Sequence, residues 1–217
     1  MEIIEKVVYI NLAHRTDRKE QVESELVNVF PSDKIVRFEA IKHENGGIGC
    51  SLSHVAVLEL AIQNNWKNVL IVEDDLQWLN FGKGSSILQN LVRKPYDVIL
   101  LSGAGVLYNS QTHKLNRSRT TTAYLVNNHY FQTLLENYKK GLELLKADYN
   151  NGIYRLDIYW IPLQKKDNWY IIPDMSIQRP SFSDVESCNV DYMNLTLEPV
   201  AIEKRNGFYN NIRFTPK

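Results

Sequence analysis

The sequence predicts an α/β fold in which a mainly parallel central sheet is flanked by helices. Two observations predict it: short apolar runs alternate with longer stretches of helical periodicity, and the connections between them are short. A length of 217 residues with 44% apolar residues is enough for one sizeable hydrophobic core. We expect a single domain over residues 1–217, of which about residues 187–217 form a weakly patterned C-terminal segment.

The first part of the chain is predicted to supply three strands and two helices. Short runs rich in apolar and β-branched residues predict strands at Val7–Leu12, Ile35–Phe38 and Asn68–Val72. Apolar side chains at helical spacing predict helices over Thr16–Val29 and from Ser51 to about Asn64. Because glycines interrupt the pattern just before Ser51, we expect this serine to cap the second helix, with an inward stripe of Val55, Leu58 and Ile62.

The same alternation continues to about residue 172. Further strands are predicted at Tyr96–Leu101, Thr120–Val126 and Trp169–Ile172. Helices are predicted over Ile87–Arg93 after a loop at Gly82–Ser86, from Asn127 or Asn128 to about Leu145, and near Leu156–Leu163. Residues 103–118 are rich in glycine, asparagine and serine, which predicts a loop or an exposed hairpin.

The balance of charges excludes several classes of protein. There are 25 lysine and arginine residues and 25 aspartate and glutamate residues, so the formal net charge is zero. A non-specific nucleic-acid binder or a polybasic membrane-surface protein would carry a basic excess. Acidic residues stand where a signal peptide would be basic, and no apolar run approaches the roughly 20 residues that span a bilayer. We therefore expect a cytoplasmic protein without a transmembrane segment. Its two cysteines, Cys50 and Cys188, are too few for a disulfide scaffold.

Three consecutive carboxylates end the third predicted strand. Glu73, Asp74 and Asp75 follow a buried-type run directly, and ligands of open α/β sheets bind outside the carboxyl ends of strands. An oxygen-rich cluster at such a place suits a hard divalent cation, Mn²⁺ or Mg²⁺, which neutralises charge on a diphosphate. A solvated acidic turn is the alternative interpretation.

Two further polar segments are candidates for binding a ligand. Asn11–Arg18 follows the first strand and contains two arginines suited to phosphate oxygens, or it is a salt-bridging first turn of a helix. Gly46–His54 is glycine-rich before a helix, which permits close approach of an anionic ligand, but it lacks the lysine and Ser/Thr ending of a phosphate-binding loop. His54 alone is more often a hydrogen-bonded structural residue than a catalyst.

These segments together resemble glycosyltransferase family 25. The resemblance is carried, in order, by Tyr9-Ile-Asn-Leu with Arg15-Thr-Asp-Arg18, Gly49-Cys-Ser-Leu-Ser-His54, Val72-Glu-Asp-Asp75, Thr122-Ala-Tyr-Leu-Val126, Leu156-Asp157-Ile-Tyr-Trp160, and the stretch from Gln178 to Glu186. The family includes lipopolysaccharide β-galactosyltransferases and procollagen galactosyltransferases. The resemblance implies a GT-A type nucleotide-diphospho-sugar transferase fold.

The resemblance also implies roles for individual residues. It places the nucleotide-sugar donor on Asn11, Leu12, Arg15, Arg18, His54, Glu73, Asp74 and Tyr124. It makes Asp75, with Glu73, the expected ligand of Mn²⁺ or Mg²⁺. Asp157 is the favoured general base of an inverting transfer, and Asp184 is either the base or a further metal ligand.

The acceptor is expected beside Asp157. Sugar faces stack on aromatic rings, so Tyr159 and Trp160 are candidate acceptor contacts, with core packing as the alternative, and Gln178 is a third candidate. The sequence departs from the family at Thr122, where a histidine is common, which leaves the contact at this position open.

The leading hypothesis is therefore a metal-dependent, inverting glycosyltransferase. It would move a hexose of the galactose or glucose type from a UDP-sugar to a glycan or glycoprotein acceptor. A sugar nucleotidyltransferase is the second hypothesis, although Asn11–Arg18 lacks the glycines of its usual loop. A non-catalytic sugar- or nucleotide-binding module is the third, although no acidic residue of the motifs is missing.

Overall fold

A computed structural model describes residues 2–183, 188–191 and 200–201 of the chain. Within these residues the strands are β1 (Lys6–Asn11), β2 (Ile35–Glu39), β3 (Asn68–Glu73), β4 (Leu76–Trp78), β5 (Val98–Leu100), β6 (Ala104–Tyr108), β7 (Leu115–Arg119), β8 (Ala123–Asn127), β9 (Trp169–Ile171), β10 (Ser176–Gln178), β11 (Ser181–Ser183), β12 (Cys188–Val190) and β13 (Val200–Ala201). The α-helices are α1 (Thr16–Val27), α2 (Gly46–Gln63), α3 (Phe81–Leu91), α4 (Phe131–Ala147), α5 (Leu156–Tyr159) and α6 (Ile161–Lys166).

A six-stranded sheet forms the centre of the fold. Its strand order is β2-β1-β3-β8-β5-β9. The pairs β1–β2, β1–β3 and β5–β9 are parallel, whereas β8 runs antiparallel to both of its neighbours. The predicted fold class, α/β with a mainly parallel central sheet, is confirmed. Because β1 and β3 are parallel, their carboxyl ends lie at one edge, where Ile10 pairs with Glu73.

Apolar residues cover both faces of this sheet. Val8 and Ile10 of β1 belong to a core cluster with residues of α2 and α4, whereas Val7 and Tyr9 belong to a second cluster with residues of α1 and α3. Neighbouring strand residues point to opposite faces, so a strand apolar at every position is buried between two layers of helices. This explains why the predicted strands read as continuous apolar runs.

Residues 103–118 form a hairpin of β6 and β7, one of the two predicted alternatives, but Val106 and Leu115 are buried, so the hairpin is not exposed throughout. Its β7 strand is tied to α6 by Gln164, which is fully buried. Ser118 N–H donates to Gln164 Oε1 over 2.7 Å, and Gln164 Nε2 donates to Ser118 O over 3.0 Å. The side-chain amide therefore satisfies both backbone groups of Ser118, as a neighbouring strand would.

The helix boundaries correct two sequence predictions. Helix α2 begins at Gly46 rather than near Ser51, because Asn45 caps it by accepting a hydrogen bond from Ile48 N–H. Ser51 lies inside the helix and donates to Gly47 O. Residues 82–86 are helical rather than a loop, because α3 begins at Phe81, and Gly84 fits directly beneath Met175.

The remaining differences concern exposure and short strands. Ile62, the last residue of the predicted inward stripe, is 37% exposed, because the buried face of α2 continues through the fully buried Ala61 instead. The sequence also missed β4 and β10 to β13, each of which has two or three residues and is too short for a periodic signal.

Helix α2 also passes a simple test for a membrane span. Among the described helices, it is the one that is long and apolar enough to cross a bilayer, with a mean hydropathy of 1.2 over 18 residues. Half of that window is buried inside the protein, and a core helix passes the same test, so the observation is weak evidence for a span.

We expect Gly49→Ala to destabilise the protein by about 1–3 kcal/mol. A Cβ at this position of α2 would lie 2.8 Å from the backbone oxygen of Ile41, so the chain at residues 41–43 must move. Gly82→Ala in α3 is the matched control, because nothing lies within 4 Å of its Cβ. Urea unfolding of both variants checks this, and equal stabilities would contradict the close approach at Gly49.

Candidate active site

The three consecutive carboxylates lie at the carboxyl edge of the sheet. Glu73 is the last residue of β3, and its N–H donates to Thr122 O just before β8. Asp74 and Asp75 follow in the turn between β3 and β4, and only 7% and 4% of them are exposed. Because buried carboxylates need compensation, the contacts of each one determine its chemistry.

Arg18 and Asn11 compensate Asp74. Arg18 Nη1 donates to Asp74 Oδ1 over 2.8 Å, and Asn11 Nδ2 donates to Asp74 Oδ2 over 2.8 Å. The other guanidinium nitrogen, Nη2, donates to Ser181 Oγ and to Phe182 O on β11. Burial raises the pKa of Asp74 above its ordinary value, although the charge of Arg18 opposes this.

Asp75 is compensated less completely. Gln178 Nε2 donates to Asp75 Oδ2 over 2.9 Å, and Arg18 Nη1 reaches the same oxygen at 3.4 Å. The other oxygen, Oδ1, is buried and has no hydrogen-bond partner among the described residues. Burial, and then the negative charge of Glu73, raise the pKa of Asp75 to about 7. Asp75 therefore has an oxygen available to a cation.

Glu73 is held as a carboxylate by its neighbours. Thr121 Oγ1 donates to Glu73 Oε1 over 2.6 Å, and His54 Nε2 lies 3.3 Å from the same oxygen. Burial by itself would raise the pKa of Glu73, but the contacts with His54 and Thr121 and the charge of Arg18 lower it below its ordinary value. The thiol of Cys50 also donates to Oε1 over 3.9 Å, and burial raises the pKa of this thiol.

Tyr124 orients His54 rather than contacting a ligand. Its hydroxyl oxygen lies 2.7 Å from His54 Nδ1, and the two rings are stacked. Tyr124 is fully buried and borders neither of the two clefts described below. The structure therefore places Tyr124, predicted as a donor contact, behind His54 and away from both clefts.

A first cleft opens in front of the carboxylates. It is bordered by the end of β1, the chain at residues 40–43, the first turns of α2 and the acidic cluster. Of the predicted donor-binding residues, those at this cleft are Leu12, Arg18, His54, Glu73 and Asp74. The cleft also contains Lys42 and His43, which the sequence analysis missed, and His14 and Ser53, which lie inside its two candidate segments but were not singled out. Lys42 and His43 lie shortly before the segment Gly46–His54, and this position in the sequence could have indicated them.

Asn11 and Arg15 are not lining residues of this cleft. Asn11 is 1% exposed, and its amide is used to hold Asp74 and to accept from Arg37. Arg15 pairs with Asp17 and donates to Phe182 O. The structure therefore places Asn11 behind Asp74, where it positions the carboxylate.

A second cleft contains the predicted base. Asp157 lies there with Thr120, Thr121, Arg119 and Arg155, and Thr120 N–H donates to Asp157 Oδ2 over 3.2 Å. Burial raises the pKa of Asp157 above its ordinary value. Thr120 has φ of 67°, an uncommon backbone conformation for a β-branched residue, which turns its N–H toward the carboxylate.

The two clefts share one wall. It consists of Cys50, Glu73, Gln178 and Ser183, which border both openings. Ligands in the two clefts would meet at this wall, on either side of Glu73. Gln178, predicted from sequence as an acceptor contact, therefore lies where both ligands can reach it.

The predicted aromatic contacts lie elsewhere. Trp160 is fully buried between Tyr124 and Trp169, as the alternative interpretation, core packing, expects. Tyr159 is half-buried against Gly141 of α4 and borders neither cleft. Asp184, the other candidate for a catalytic carboxylate, lies outside the described residues.

The chain has similarity to known proteins at the levels of sequence and fold. Residues 42–140 match the model of glycosyltransferase family 25 (LPS biosynthesis protein). That segment contains Gly49–His54, Glu73–Asp75 and Thr122–Val126 of the predicted motifs. None of the curated proteins compared with the chain matches it.

The solved structures whose backbones resemble this one include three proteins with low sequence identity to this chain. A glycosyltransferase involved in the glycosylation of the major capsid of PBCV-1 is 13% identical over 77% of this chain and 80% of its own, with a TM-score of 0.47. GlyE of Streptococcus pneumoniae TIGR4 is 12% identical over 79% and 45%, with a TM-score of 0.45. A197 from STIV is 12% identical over 86% and 93%, with a TM-score of 0.42.

The sequence match, rather than these structural similarities, supports the resemblance, and it covers a little under half of the chain. The α/β sheet and the carboxylates at its edge are the arrangement that the resemblance implies. The resemblance to glycosyltransferase family 25 is thus confirmed over residues 42–140, the segment that contains the three consecutive carboxylates of the site.

Proposed function

We propose that the protein transfers a hexose, of the galactose or glucose type, from a UDP-sugar to a glycan or glycoprotein acceptor, with inversion and with Mn²⁺ or Mg²⁺. The observation that carries this proposal is the shared wall between two clefts. One cleft contains Asp74 and Asp75, the other contains Asp157, and Glu73 stands between them. This arrangement suits a donor and an acceptor that meet at one point.

The first cleft has the charges expected of a diphosphate site. Lys42 and the guanidinium of Arg18 border it together with the acidic cluster. Arginine and lysine bind phosphate oxygens, and a divalent cation would reconcile the phosphates with the nearby carboxylates. Arg18 is already fixed by Asp74 and by Phe182 O, so it is oriented before a donor arrives.

The residues present fit a hard divalent cation. Asp75 offers a buried oxygen without a partner among the described residues, and carboxylate oxygen is the ligand type that Mn²⁺ and Mg²⁺ prefer. Asp75, with Glu73 as the second candidate, would hold the ion. When bound, the ion would stabilise negative charge on the departing nucleoside diphosphate.

Asp157 is the proposed general base. The acceptor hydroxyl gives its proton to the carboxylate as its oxygen bonds to the anomeric carbon, and the bond from that carbon to the diphosphate breaks. The N–H of Thr120 fixes Oδ2 of Asp157, which orients the carboxylate in the second cleft. Because burial raises the pKa of Asp157, it is a better proton acceptor than an exposed aspartate.

The transfer reaction itself is tested by incubating the protein with a panel of nucleotide sugars and glycan acceptors. We expect UDP release with UDP-galactose or UDP-glucose, which increases when an acceptor is added. Release of pyrophosphate from a nucleoside triphosphate and a sugar phosphate would instead identify a nucleotidyltransferase. Tight donor binding with neither hydrolysis nor transfer would contradict the proposed activity.

The role of Asp75 is tested by thermal unfolding. UDP with Mn²⁺ should stabilise the protein by about 2.7 kcal/mol at one hundred times the dissociation constant. Asp75→Asn should abolish the part of this stabilisation that depends on Mn²⁺, because it removes the available carboxylate oxygen. Without ligands, this variant should unfold no earlier than the unmodified protein at pH 8, since it removes a buried charge whose pKa is raised to about 7.

Asp33→Asn is the matched control for charge. Asp33 is exposed, and this variant should keep the whole Mn²⁺-dependent shift in melting temperature. If Asp75→Asn retained the full Mn²⁺-dependent shift in melting temperature, Asp75 would not be the metal ligand. The transfer assay tests the activity separately.

The role of Asp157 is tested by the pH dependence of kcat/KM. Asp157→Asn should reduce the rate about 10²- to 10⁴-fold, the range typical of a general base. In the unmodified enzyme, kcat/KM should fall when the pH drops below the raised pKa of Asp157, because the carboxylate then takes up a proton. This decline should begin at a higher pH than it would for an ordinary aspartate, whose pKa is about 3.9. Asp148→Asn, at an exposed site, should change neither quantity. If the decline of kcat/KM at low pH is unchanged in Asp157→Asn, another residue is the general base.

A further inference from the structure

A second set of metal-ligating side chains lies at the wall between the clefts. The ligand atoms of Cys50, His54 and Glu73 all lie within 4.8 Å of one another. We infer that these three residues bind a divalent cation of the zinc class, at a site that shares Glu73 with the oxygen site proposed on Asp75 but takes its other two ligands from α2. This inference is independent of the proposed transfer reaction.

The spacing of the ligand atoms matches a tetrahedral site. Bonds of about 2.0–2.2 Å to nitrogen and oxygen place such ligand atoms roughly 3.3–3.5 Å apart, and a longer bond to sulfur places it slightly farther away. His54 Nε2 lies 3.3 Å from Glu73 Oε1, and Cys50 Sγ lies 3.9 Å from the same oxygen. Both distances to Glu73 Oε1 are thus close to those of a tetrahedral site, and the sulfur lies within 4.8 Å of the ligand nitrogen of His54.

The secondary structure places these ligands together. Cys50 and His54 are four residues apart on α2, so their side chains lie on one face of the helix. Glu73 ends the strand that this face packs against. A bound cation would therefore link α2 to the end of β3 and should stabilise the folded state.

The charges balance for a divalent ion. On binding, the Cys50 thiol loses its proton to solvent, and the resulting thiolate and the Glu73 carboxylate together neutralise the two positive charges. In the metal complex His54 would bind the ion through the Nε2 lone pair and carry its proton on Nδ1. A neutral site is suited to this half-buried wall, because an uncompensated charge there would be costly.

Tyr124 supplies the hydrogen-bond partner that a metal-binding histidine requires on its other ring nitrogen. A histidine that binds a metal through one nitrogen normally donates its other N–H to a fixed partner. The Tyr124 hydroxyl oxygen lies 2.7 Å from His54 Nδ1 and can accept that hydrogen bond. Its complete burial keeps the ring of His54 oriented toward Glu73.

The site is reachable and has room for a fourth ligand. Cys50 and Glu73 border both clefts, and His54 borders the first. An ion can therefore enter from solvent, and a water molecule from either cleft can complete its coordination. Sulfur and nitrogen ligands favour zinc over magnesium or manganese, which prefer oxygen.

Titration with Co²⁺ tests the inference, because a thiolate–cobalt bond produces a charge-transfer absorption in the near ultraviolet. The unmodified protein should show this band at one equivalent of Co²⁺, and Zn²⁺ should remove it, whereas excess Mg²⁺ should not. Cys50→Ser should abolish the band. Cys188→Ser is the matched control and should retain it, because Cys188 is exposed on β12.

Two further variants distinguish this site from the oxygen site on Asp75. Tyr124→Phe should weaken Co²⁺ binding about 10- to 100-fold, the usual effect of losing an outer contact. Asp75→Asn should leave the band unchanged, because Asp75 is not one of the three ligands. Loss of the band in Asp75→Asn, or its presence in Cys50→Ser, would overturn the assignment.

A measurement on the unmodified protein avoids dependence on the folding of any variant. Zn²⁺ should protect Cys50, but not Cys188, from alkylation by iodoacetamide, as read by mass spectrometry of the two cysteine peptides. Equal modification of Cys50 with and without Zn²⁺, together with no Co²⁺ band, would refute the site.

Discussion

The burial of three adjacent carboxylates at the end of β3 is the constraint on which the site depends. Like charges repel, and each group loses solvation when it leaves water. The protein compensates them unequally: Arg18 pairs closely with Asp74, His54 supports Glu73, and Asp75 retains one oxygen without a partner among the described residues. The cluster is therefore incomplete at Asp75, which is where a cation is expected to bind.

The reversed strand β8 determines which residues meet these carboxylates. In an entirely parallel sheet, only carboxyl ends would lie at this edge. Because β8 runs the other way, the residues before it reach Glu73, and Thr121 donates to the carboxylate. The same connection carries Thr120, whose left-handed backbone presents an N–H to Asp157. One reversed strand thus links both clefts.

Much of the fold and part of the site could be predicted from local patterns. The runs at β1, β3 and β5 are apolar at nearly every position because both faces of the sheet are covered. The first turn of α2 could not be predicted this way, because glycines disfavour a helix and only the cap from Asn45 and the packing against residues 41–43 explain its start. The short strand β10 exists only through its pairing with β4, which lies far away in the sequence.

The sequence by itself determined the α/β class, the acidic strand end and the family motifs, because apolar periodicity and residue type are local properties of the chain. Only the tertiary structure decided which of those residues face a ligand. It placed Trp160 and Tyr124 in the core, set Asn11 behind Asp74, and brought Cys50 of α2 within 3.9 Å of Glu73. Burial and compensation depend on contacts between residues far apart in the chain, and no local pattern specifies them.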